Sequence, residues 1–180
     1  MAQMGWQQPQ PTKSGMPGWA TALIVILVGS IVVVPILAVL AIYGVRKYVA
    51  NAKTAEAKNS LAVMGRYAAA AYEKNGKVCP SASEPVPQAR SMISGRKYQS
   101  TVHEWQADAA ANAGFACLGF EMTSPQYFQY EYIGTPTGFT ARAHGDLNGD
   151  GVFSTYEIRG QVMNGKLVLS PSILETDPFE

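Results

Sequence analysis

Residues 20–45 read ATALIVILVGSIVVVPILAVLAIYGV, and residues 46–75 continue as RKYVANAKTAEAKNSLAVMGRYAAAAYEKN. The first stretch holds no charged residue from Ala20 to Val45. As a helix it is about 39 Å long, against a hydrocarbon core of roughly 30 Å, so it can span a bilayer with some tilt. Leu23, Ile26, Val33, Leu37 and Leu40 supply the apolar surface for lipid or for neighbouring helices. Pro35 removes a backbone hydrogen bond and crowds the preceding turn, which predicts a kink near Ile31 to Pro35. A cleavable signal has an apolar stretch of only about 7 to 15 residues, so residues 19–45 read as a retained transmembrane helix.

The second stretch has no proline and is rich in Ala, Lys and Glu, all good helix formers, so the membrane helix is expected to continue outward. A break near Gly44 is the alternative. Val45, Tyr48, Ala52 and Ala55, then Leu61, Met64, Ala68 and Ala71, recur at helical spacing and form a stripe that must bury against something. Asn75-Gly76 ends the helix. On the other side of the span, residues 1–18 are rich in Gln, Pro and Gly and read as a flexible polar tail.

Residues 76–180 form the remaining domain. Cys79 to Asn112 is a loop-rich connector with Pro80, Pro85 and Pro87 and a short helix expected over His103 to Ala111. Alternating aromatic residues predict a strand over Tyr127 to Tyr132 and a second over Gly138 to His144. A third, Ile158 to Met163, meets a fourth, Lys166 to Ser170, across the hairpin signal Asn164-Gly165. The expected fold class is α+β: a long N-terminal transmembrane helix whose outer half packs on a small four-stranded antiparallel sheet.

A net charge of +1 and scattered basic residues give no signal for nucleic acid. The two cysteines, Cys79 and Cys117, both follow the span and suit one disulfide in an oxidising compartment. Arg46, Lys47, Lys53 and Lys58 pull the other way, since the positive-inside tendency would keep their side of the helix in the cytoplasm. The cysteine pair and the loop described next outweigh that count and favour an extracytoplasmic domain.

Asp146-x-Asn148-x-Asp150-Gly151, with Glu157 five residues later, fits the twelve-position calcium loop. Asp146, Asn148 and Asp150 offer oxygens at alternate positions, Val152 a backbone carbonyl, Ser154 a hydroxyl or a bridging water, and Glu157 a bidentate closure. The flanks read as strands, so a structural Ca2+ is expected and not the switch of a calcium sensor. His103 and His144 have no metal-ligand spacing, and no nucleophile motif joins Ser, His and Asp, so the chain does not read as an enzyme.

The order of apolar span, Ala-rich helix, cysteine-closed loop and C-terminal sheet resembles the bacterial type IV pilins and secretion pseudopilins. Ala50 to Leu61 is similar to the segment where pilin helices leave the membrane, and Gly145 to Gly151 resembles an inter-strand loop of that family. The chain departs from the family at Gly15-Met16-Pro17-Gly18-Trp19-Ala20, which does not carry the basic-Gly cleavage pattern, and in having no glutamate from Ala20 to Val45. The resemblance implies a structural subunit of a pilus-like or pseudopilus-like filament that assembles through its apolar helix. Its partners would be identical or related pilin-like subunits and membrane lipid, and its location the inner membrane, single-pass, before entry into an extracellular filament. The alternative is a non-polymerising, membrane-anchored surface binding domain.

Overall fold

The computed structural model describes residues 15–178, so most of the polar tail expected over residues 1–18 lies outside the described residues. The chain divides into two compact units, Met1–Arg46 and Lys47–Glu180. Helix α1 (Gly18–Asn75) passes through Pro35 as helix and stops, as expected, at Asn75-Gly76, where Gly76 takes φ +66°. In the first unit Leu23, Ile26, Val33, Leu37 and Leu40 are each more than half exposed. By length and composition α1 holds one candidate membrane span near the N-terminus.

In the second unit, the outer part of α1 is one layer and an antiparallel sheet is the other. Thr54, Ala57, Leu61, Met64 and Ala68 face the sheet and are almost wholly buried. Their spacing of three and four residues keeps them on one side of the helix. The stripe is therefore shorter than the sequence predicts: Val45, Tyr48, Ala52 and Ala55 are exposed, and Ala71 is half-buried. Burial begins where the sheet begins to cover the helix, and periodicity carries no information about where a partner surface ends. Gly65 marks a close approach, since a Cβ there would stand 3.2 Å from an Ile158 methyl and 3.3 Å from a Leu169 methyl.

The sheet runs β1 (Phe128–Thr135), β2 (Gly138–Gly145), β3 (Ser154–Met163), β4 (Lys166–Leu169), in that order, all antiparallel. A fifth strand, β5 (Leu174–Thr176), pairs with the beginning of β3. Alternation sends Tyr130, Tyr132, Ala141, Ala143, Tyr156 and Ile158 to the helix side, where all are buried. Two cross-strand pairs set a ring over a glycine: Phe128 faces Gly145 and Phe139 faces Gly160. A Cβ at Gly145 would meet the Phe128 ring at 2.4 Å, so the ring occupies the place of the missing side chain. At the β3–β4 turn, Asn164 and Gly165 take φ +52° and +74°, the left-handed pair that a tight hairpin requires.

The connector is more broken than expected. The helix predicted over His103 to Ala111 is instead α2 (Val102–Trp105) followed by a 3-10 turn at Ala109–Ala111, and α3 (Gly114–Leu118) follows. Thr101 and Glu104 close a capping box at the start of α2, and the helix ends as Trp105 enters the core. Trp105 is 1% exposed, donates to Ser100 Oγ at 2.9 Å, and packs edge-on to Phe115 and Phe120. Cys79 and Cys117 form the expected disulfide. The connector also covers the outer edge of β1: Val86 and Tyr130 exchange backbone hydrogen bonds, and Ala82 N–H donates to the Tyr132 carbonyl.

Candidate functional site

The loop between β2 and β3 begins with Asp146, whose side chain is fully buried. Its Oδ1 accepts the Gly149 N–H at 2.6 Å, and its Oδ2 accepts the Gly151 N–H at 3.1 Å and the Ser94 hydroxyl at 2.5 Å. The Gly95 N–H donates to the Asp146 carbonyl at 2.8 Å, so this one residue fastens the connector to the loop. Burial works to raise the Asp146 pKa, but the Ser94 hydroxyl and the two glycine N–H groups outweigh it and hold the carboxyl below its ordinary value. Gly149 and Gly151 take φ +80° and +90°, left-handed positions that let the chain wrap the carboxylate.

Asn148 Oδ1 accepts the Asp150 N–H, Asn148 Nδ2 donates to Asp150 Oδ2, and Asp150 Oδ1 accepts the Val152 N–H at 2.8 Å. The fold thus gathers Asp146, Asn148, Asp150 and Val152 into one turn. Ser154 is buried at its base and donates to the Gly145 carbonyl at 3.0 Å.

Glu157 is not brought to that turn. In the β2–β3 register Gly145 faces Ser154 and Arg142 faces Glu157. At about 3.4 Å per residue, the strand carries Glu157 roughly 10 Å from the base of the loop. Its carboxylate receives Arg142 Nε on Oε2 and Arg159 Nε on Oε1, each at 2.5 Å. Burial works to raise the Glu157 pKa, but Arg142 and Arg159 together hold it below the ordinary carboxylate value. A twelve-position loop closes when its last ligand turns back on a helix; an extended strand takes it away. Among the described residues, no group of three or more His, Cys, Asp or Glu is placed to hold a metal ion. As folded, the side-chain oxygens of Asp146, Asn148 and Asp150 accept hydrogen bonds from Ser94 and from the loop itself, and Glu157 does not join them in a twelve-position shell.

The arginines belong to a polar network on the sheet face away from α1, which the sequence reading missed. Arg142 also reaches Glu131 at 3.3 Å, His144 Nδ1 lies 2.9 Å from Thr155 Oγ1, and buried Gln129 is held by Arg90 and by the Pro87 carbonyl. Burial, helped by Arg90 and Arg142 and opposed by Glu131, pushes His144 down to about 4. The signal was present as polar residues at every second position: Gln129 and Glu131, Arg142 and His144, Thr155, Glu157 and Arg159. His103 sits exposed on α2.

No family model matches the chain, and no curated protein or solved structure matches it.

Proposed function

We propose that this chain is a structural subunit of a type IV pilus-like or pseudopilus-like surface filament, held in the inner membrane by residues 19–45 and assembling through the same apolar helix. The observation that carries the reading is the double use of α1. From Lys47 onward it gives an α+β unit the Thr54 to Ala68 stripe of its core; before that it exposes Leu23, Ile26, Val33, Leu37, Leu40 and their neighbours. An apolar surface of that extent is stable only against lipid or against other apolar helices. A subunit that leaves the bilayer for a filament exchanges the first for the second. The Cys79–Cys117 disulfide supports an extracytoplasmic place for the second unit.

Calcium belongs to the proposal in open form, with Asp146, Asn148 and Asp150 as its side-chain ligands and the Val152 carbonyl beside them. The expected outcome is that Asp150→Ala and a chelator lower the melting temperature of the folded chain by the same amount; no change in either removes the ion. A non-polymerising anchored binding domain is the second reading, favoured by the absence of a glutamate between Ala20 and Val45. Mass spectrometry of sheared surface fibres and of membranes separates the two. The chain in fibres supports the subunit; the chain confined to membranes refutes it.

A further inference from the structure

Two lysines far apart in sequence meet on one ring. Lys53, on α1, and Lys97, on the connector, each place Nζ 4.7 Å from the centre of the Tyr127 ring. Cation–π attraction steadies each ammonium without neutralising it. Among the described residues, neither has a carboxylate within ion-pair distance, whereas Lys58, one turn further along, is paired with Glu175 at 2.8 Å. The nearby carboxylate of Glu56 is turned inward, accepting the Tyr127 N–H at 2.7 Å and the Tyr130 hydroxyl at 3.5 Å. Burial raises its pKa, against the opposing effect of the Tyr127 N–H and of the charge on Lys97. Lys47 and Tyr48 are exposed at the start of the same unit, immediately after the apolar stretch that ends at Val45.

We infer that Lys47, Lys53 and Lys97 form a basic collar that docks on anionic phospholipid headgroups where α1 leaves the bilayer. Within the second unit, six residues of helical rise put Lys53 about 9 Å beyond Lys47, the first residue of that unit. A headgroup layer of roughly 5 to 7 Å, a long lysine stem and a Debye length of about 8 Å cover that distance. Lys47 lies within the layer itself, beside Tyr48, a residue type that favours the interface. The role of Tyr127 is to bring Lys97, which the sequence puts in a remote loop, into the same collar. The collar rests on the reading of residues 20–45 as a membrane span.

The test uses the full chain in micelles with equal amounts of phosphatidylglycerol and phosphatidylcholine, and counts the lipids retained by native mass spectrometry. The expected result is a preference for phosphatidylglycerol that weakens with salt and falls at least about fivefold in Lys53→Gln/Lys97→Gln, given about fivefold per lysine near an anionic surface. Lys53→Arg/Lys97→Arg keeps the preference, and so does Lys77→Gln, which changes an exposed lysine beyond the far end of α1. Unchanged preference in the glutamine pair, with phosphatidylcholine still retained, overturns the collar and leaves the span intact. Loss of preference in the arginine pair also overturns it, because charge is then not the cause. Retention of neither lipid by the unaltered chain overturns the membrane reading itself.

Discussion

Acid should destabilise the second unit through His144 before it reaches any carboxylate. His144 is 7% exposed, lies 2.9 Å from Thr155 Oγ1, and is held down to about 4 against an ordinary value of 6.5. The unfolded chain therefore takes up the proton first, and stability falls as the pH drops from about 6.5 to about 4, with no further loss from this group below that. Between pH 7 and pH 5 the linkage amounts to about 2 kcal/mol. Glu157, whose pKa is lowered, contributes stability that is lost only at pH values below 4.5, as the pH falls through its folded value. Glu56, whose pKa is raised, acts in the opposite sense, because the folded state takes its proton first. Both act alike in the parent chain and in His144→Gln, so the difference between the two isolates the imidazole. Urea unfolding in micelles at pH 7 and pH 5, followed by the change in tryptophan emission as the core residue Trp105 becomes exposed, measures it. The parent should lose about 2 kcal/mol more than the variant between the two pH values; equal losses would refute the reasoning.

Leu61→Ala, at a fully buried position on the helix stripe, should cost about 3 to 5 kcal/mol, while Ala55→Ser on the exposed side should stay within about 0.5; the same urea titration reads both. Cys79→Ser/Cys117→Ser should cost about 4 kcal/mol, from a closed loop with a sequence separation of 38, and reductant should lower the melting temperature of the parent but not of the variant. Asp146→Ala leaves the Gly149 and Gly151 N–H groups and the Ser94 hydroxyl without their acceptor. It should cost about 3 kcal/mol and speed hydrogen exchange at Gly95, well beyond the effect of the exposed Asp150→Ala without calcium. Glu157→Gln should cost only about 1 to 2 kcal/mol, because Arg142 and Arg159 are partly solvated, and should leave calcium affinity unchanged by isothermal titration.

Much of the fold was legible because its signals are local. Asn164-Gly165 names a hairpin by backbone conformation alone, and the apolar run from Ala20 is long enough as a helix to be a candidate membrane span. The long α1 follows from thirty residues rich in good helix formers after the apolar run, with Gly76 as the stop. Properties that depend on a partner were less legible. Ala52 and Ala55 have the same period as Leu61 and Met64, yet no sheet lies over them. β5 escaped notice because Leu174-Glu175-Thr176 is exposed and too short to alternate visibly; it is a strand because β3 offers an edge there. Likewise the His103 to Ala111 segment has helical composition, but the burial of Trp105 ends the first turn early.

The loop shows the same division within a single motif. Asp146, Asn148, Asp150 and Gly151 lie close in sequence, and their spacing alone fixes the turn they make. The place of Glu157 depends on what lies between it and Ser154, since residue counts become distances only once the backbone conformation is known. Extended, the segment Thr155-Tyr156-Glu157-Ile158-Arg159 must alternate, and Tyr156 and Ile158 are the residues a core would claim. Glu157 is then committed to the opposite face, where Arg142 from β2 and Arg159 two positions on are the charges available to a buried carboxylate. A strand flank and a closing glutamate are therefore competing demands on one residue, and the strand prevails because Tyr156 and Ile158 bury far more apolar surface than one exposed ion contact could offset.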